Sequence, residues 1–109
     1  MMELFDFLYE NDIEVYFVGQ KKGECTSNYA VVRDAGTLGE GNNKIGSQLI
    51  DIILFSKQVT DLISFKNKIK ELMKGFKTVR YIGEETPIIP DDDFKAFSCS
   101  IVYQNQKML

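Results

Sequence analysis

Histidine and tryptophan are both absent from this sequence of 109 residues. Without histidine, the commonest general base, proton shuttle and metal ligand is missing, which removes most hydrolase mechanisms. Cysteine is scarce: Cys25 and Cys99 lie far apart, without the paired spacing of a zinc site or a dithiol redox motif, and reduced thiols are expected. No apolar run approaches the ~18 residues that cross a bilayer. Met1-Met2-Glu3-Leu4-Phe5-Asp6 carries acid where a secretory signal carries base, so neither export nor a membrane anchor is expected. Lysine and arginine form no stripe, and the net charge is −3, so no stable nucleic-acid binding is expected.

What is present is ordinary globular material. Hydrophobic residues make up 44% and charged residues 27%, far from the composition of disorder, and the length suits one domain spanning residues 1–109. Leu4, Phe5 and Leu8 predict a short amphipathic helix over Met2 to Asn11. Ile13, Val15 and Phe17 alternate with Glu14, Tyr16 and Val18, a strand closed by Gly19. Lys21-Lys22-Gly23 reads as the turn into a second strand, Tyr29 to Arg33, so these two predict a hairpin.

Asp34 to Gly46 is glycine-rich and predicts a long loop between strands, of a length that usually has a use. Gln48 to Phe55 is nearly all apolar apart from Asp51, as in a central strand covered on both faces. Thr60 is placed to cap a long helix in which Leu62, Phe65, Ile69, Leu72, Met73 and Phe76 recur at three- and four-residue spacing. Gly75 lies near its end, and Thr78 to Ile82 follows as a short strand. Glu84 to Asp93, with Pro87 and Pro90, predicts an irregular exposed connector. The last strand, Lys95 to Gln104, sets Phe97, Cys99, Ile101 and Tyr103 on one face and Ala96, Ser98, Ser100 and Val102 on the other. The fold class is α+β: a mostly antiparallel, curved sheet with one long and one short helix packed on one face.

No segment carries a convincing catalytic or metal signature. Asp91-Asp92-Asp93 lacks the spaced ligands of an EF-hand and reads as a solvated acidic loop. The glycine-rich stretch lacks the Gly-Lys-Ser/Thr ending of a phosphate-binding loop and runs into a strand, not a helix N-terminus. Ser98 and Ser100 have no histidine to activate them, and Cys99 lies on an apolar face. No cofactor is expected. Asp51 needs explanation, since a carboxylate in a covered strand is costly unless paired. It either points into solvent at an edge or meets a cation across a subunit interface.

Taken together, the strand Ile13 to Phe17, the stretch through Ile45-Gly46-Ser47 into Leu49-Ile50-Asp51-Ile52-Ile53-Leu54-Phe55, the helix Leu62 to Met73, Tyr81-Ile82-Gly83, Thr86-Pro87 and the closing strand Phe97 to Tyr103 resemble the tail-completion or tail-terminator proteins of long-tailed bacteriophages. That group includes minor capsid and tail-to-head joining proteins, and the likeness covers nearly the whole chain. The resemblance implies a virion component, assembled in the host bacterial cytoplasm, that forms a homo-oligomeric ring, often a hexamer, between the tail tube and the head-completion proteins. DNA would pass through such a ring, and an acidic protein suits a channel that must not hold it. Subunit or partner contacts are then expected in the two connectors and the central strand, at Thr37, Leu38, Glu40, Asn42, Asn43, Lys44, Asp51, Ile88, Ile89, Asp91 and Asp92. The alternatives are a small cytosolic protein-binding or regulatory module, and a weak enzyme using only carboxylates such as Asp51 or Asp91 to Asp93.

Overall fold

A computed structural model describes residues 2–20, 27–38, 45–76, 79–92 and 95–108. In chain order these form α1 (Met2–Glu10), β1 (Val15–Phe17), β2 (Tyr29–Leu38), β3 (Ile45–Ser56), α2 (Val59–Met73), β4 (Val79–Glu85), β5 (Ile89–Asp91) and β6 (Ala96–Met108). The sheet runs β1-β2-β3-β6-β4, with β5 also paired to β6. All pairings are antiparallel except β1 with β2. The fold is α+β, as the residue pattern predicts.

Both helices cover one face. The ladder stacks Ala30, Leu54 and Cys99 in one row and Val32, Ile52 and Ile101 in the next. Leu4 and Leu8 of α1 and Leu62, Phe65, Ile69 and Met73 of α2 close over these rows. Those helical residues share a stripe because three- and four-residue steps return to the same side of a 3.6-residue turn. At the end of α1, Asp12 takes a left-handed conformation (φ 63°), and Asn11 Nδ2 donates to the Phe7 carbonyl oxygen at 2.8 Å, which closes the last turn.

Four expectations are corrected. The β1–β2 hairpin is a parallel pair, Val15 with Ala30 and Phe17 with Val32, so the chain between them must return to the starting end of the sheet. The long glycine-rich loop is mostly strand: β2 continues to Leu38 and β3 starts at Ile45, leaving only residues 39–44 between them, outside the described residues. Glycine is tolerated there because the backbone bonds into a ladder, Gly36 opposite Leu49 and Gly46 opposite Lys107, and a bulge near Asp34 and Gly36 absorbs the irregularity. The Glu84 to Asp93 connector is partly regular, since β4 runs to Glu85 and β5 pairs Ile89, Pro90 and Asp91 with Ser98, Phe97 and Ala96. An edge strand accepts proline because the missing N–H can face away from the ladder. Thr60, finally, lies inside α2, where the N-cap is Gln58; its side chain makes no capping bond, and its carbonyl accepts from the Leu62 N–H at 3.0 Å.

Candidate functional site

The second face of the sheet carries no helix among the described residues. Tyr29, Phe55 and Ala96 are buried there, with Tyr16, Val31 and Ile53 packed around them. The Tyr29 and Phe55 rings stack at 4.8 Å, and Tyr16 meets Tyr29 edge-on at 5.7 Å. Strand alternation dictates this set: Tyr29, Val31 and Arg33 on β2 lie opposite Phe55, Ile53 and Asp51 on β3. Beside it opens a cleft of about 180 Å³, walled by Phe17, Val18, Tyr29, Val31, Ile53 and Phe55, with Val18 59% exposed. Apolar side chains line this cleft, which no helix among the described residues covers, and an apolar surface of that kind is suited to contact with another protein.

Asp51 lies on this face, 6% exposed. Its partner is Arg33, its direct neighbour across the ladder, whose Nε donates to Asp51 Oδ2 at 3.1 Å and whose second nitrogen closes on the same oxygen. The cation expected across an interface therefore comes from the same chain. Sequence reasoning missed Arg33 because the register that sets the two residues opposite each other is not written in either strand alone.

The remaining expected contacts divide between two ends of the molecule. Thr37 and Leu38 belong to β2, opposite Gln48 and Ser47 at the far end of the β2–β3 ladder. Glu40, Asn42, Asn43 and Lys44 lie outside the described residues. Ile88 is half-buried and Ile89 is exposed, while Asp91 and Asp92 close the β5 end of the sheet. Ser47 pairs with Gln106 and Phe97 with Pro90, so the two groups sit on opposite sides of the sheet and about nine residues apart along β6, roughly 30 Å. They cannot form one cleft.

Two further features emerge only from the folded chain. Beyond Val32 the outer edge of β2 has no partner among the described strands, because β1 ends at Phe17. And α2 is tied to β4 by Glu85, whose carboxylate takes Lys66 on one oxygen and, on the other, Lys70 at 2.8 Å and the Tyr81 hydroxyl. These bonds hold the Glu85 carboxyl down at about 2, led by the bond from Lys66 and then that from Lys70, while Glu85 in turn raises Lys70. Lys66 and Lys70 stand four residues apart, a spacing legible in the sequence as one helix face.

Among the described residues, no group of His, Cys, Asp or Glu is arranged to hold a metal ion, and no helix is long and apolar enough to cross a membrane. The fold and its exposed surfaces define a small α+β protein with an open mixed sheet, one face of which carries no helix among the described residues. No protein-family model matches the chain, and no curated protein matches it.

Proposed function

We propose that this chain is a structural subunit of a long-tailed phage or prophage virion, closing with copies of itself into a ring at the head-proximal end of the tail, where it joins tail-tube and head-completion proteins. It acts by assembly, not by catalysis. The observation that supports this reading is the sheet face without a helix among the described residues: an apolar cleft bearing Val18, Val31 and Ile53, beside a β2 edge unpaired from Arg33 onward among the described strands. A ring joins one surface of each subunit to a different surface of the next, and open strand edges and bare faces are natural donors of such surfaces. The sheet order supplies two unlike outer edges, β1 with the length of β2 beyond Val32 on one side and β4 with β5 on the other.

Size-exclusion chromatography with light scattering tests it. The expected outcome is a ring-sized species that grows with protein concentration or on adding tail-tube protein. A strict monomer at high concentration, unchanged by tail-tube protein, would overturn the reading. Stoichiometric capture of a single non-virion protein would favour a binding module instead.

A further inference from the structure

The lysines of α2 look dispersed in the sequence, but folding gathers them. Lys66, Lys70 and Lys74 recur every fourth residue, so they share one side of the helix, and β4 brings Arg80 up beside them. Between these elements lies a groove of about 290 Å³, walled by Lys70, Lys74, Phe76, Arg80, Tyr81 and Tyr103. Among the described residues, Glu85 is held by Lys66 and Lys70, and Glu71 lies 3.1 Å from Lys74. Arg80 Nε donates to Gln104 Oε1 at 3.0 Å, which engages one of the five donors of its fork. Three cations, Lys70, Lys74 and Arg80, thus line one groove on a chain whose net charge is −3.

Negative charge gathers at the opposite end of the same sheet edge. There Ile89, 53% exposed, precedes Asp91 and Asp92. Asp91 aligns with Ala96 and Val79 with Asn105 on β6, nine residues apart, or roughly 30 Å. The acidic corner therefore cannot reach the groove of its own chain.

We propose that the β5–β6 corner of one copy, Ile89 to Asp92, docks in the α2–β4 groove of the next, its carboxylates against Lys74 and Arg80 and Ile89 against the exposed ring of Tyr81. The inference rests on the ring reading and names one contact within it. Donor and acceptor lie at different places on the subunit, so the contact repeats head to tail and closes into a ring when the rotation between copies allows. Its polar part lies near the surface, so salt weakens it. A nucleic-acid strand is the less favoured occupant, because three cations, one of them already bonded to a fixed carboxylate, are few for gripping phosphates.

The test uses two charge-reversed variants, Asp91→Lys with Asp92→Lys, and Lys74→Glu with Arg80→Glu, each checked for folding by circular dichroism and urea titration. Light scattering at low and high salt is expected to show self-association of each weakened by about tenfold or more. Mixing the two in equal amounts is expected to restore the wild-type species, since each variant then presents the charge the other lacks. Charge-neutral pairs, Asp91→Asn with Asp92→Asn and Lys74→Gln with Arg80→Gln, are expected to weaken association less, and they carry the test if a reversal fails to fold. Variants that assemble like wild type, or folded variants whose mixture restores nothing, would remove this contact and leave the ring intact. A groove that retains a labelled oligonucleotide while self-association is unaffected by the variants would also remove it. A wild-type chain that never self-associates would remove the ring reading itself.

Discussion

Arg33 on β2 and Asp51 on β3 stand directly opposite each other on the face of the sheet that bears no helix, and the Arg33 guanidinium closes on a single carboxylate oxygen of a residue only 6% exposed. The arginine reaches outward, its side chain 52% exposed, so the pair bridges a covered strand and the solvent. Removing the arginine alone leaves an uncompensated carboxylate among apolar neighbours. Arg33→Met is therefore expected to cost about 1–3 kcal/mol, and Arg33→Met combined with Asp51→Leu to recover much of that loss. Urea titration of the two single variants and the double variant measures it, and simple additivity of the two losses would refute the coupling.

Glu85 predicts a pH dependence of known sign. Its folded carboxyl is held at about 2 by the Lys66, Lys70 and Tyr81 bonds, against 4.5 for the free group. A depressed carboxyl contributes stability above its unfolded value and loses it as pH falls toward the folded one. Wild type is thus expected to lose about 1–2 kcal/mol more than Glu85→Gln between pH 5 and pH 2, the figure reduced for screening at this partly exposed site. Urea midpoints of both proteins across that range decide it, and parallel curves would refute the assignment.

Two glycines should respond in opposite directions to alanine. Gly83, in β4, has φ +82°, and an added Cβ there meets nothing within 4 Å, so Gly83→Ala suffers only conformational strain, about 1 kcal/mol. Gly75, just past α2, is outside the left-handed region, and a Cβ there makes an ordinary 3.5 Å contact with the Leu72 carbonyl oxygen. Gly75→Ala should stabilise by about 0.5 kcal/mol by restricting the unfolded chain. Thermal melts of both variants check the signs.

Cys99 lies in the core at 2% exposure, and burial pushes its thiol pKa up. A Cys25→Ser variant, which leaves Cys99 as the sole thiol, is expected to react with a disulfide reagent at least about a hundredfold more slowly when folded than in denaturant, because reaction must await opening of the core. Equal rates in the two states would contradict the packing.

The local periodicities were legible in the residues themselves. Spacing along α2 marks Leu62, Phe65, Ile69 and Met73, which are its buried residues, and alternation along the last strand marks Cys99, Ile101 and Tyr103, which join the same core. The near-continuous apolar run placed β3 centrally, between β2 and β6. On the other face of the last strand Ala96, Ser98 and Ser100 are buried as well, which alternation alone does not tell. Ser100 owes part of its surroundings to Thr86, whose hydroxyl accepts from the Ser100 N–H at 2.8 Å.

Helix spacing and strand alternation are properties of neighbours in the chain, written by side-chain geometry over a turn or two, and for these elements the amino-acid order was sufficient. The parallel pairing of β1 with β2, the continuation of strands through Gly36 and Gly46, the salvage of Pro90 as an edge residue, and the meetings of Arg33 with Asp51 and of Glu85 with Lys66 and Lys70 belonged to the folded chain alone. Each depends on which distant segment lies alongside, and that choice is made by the whole core closing at once, since a ladder bonds through backbone groups that every residue but proline carries alike.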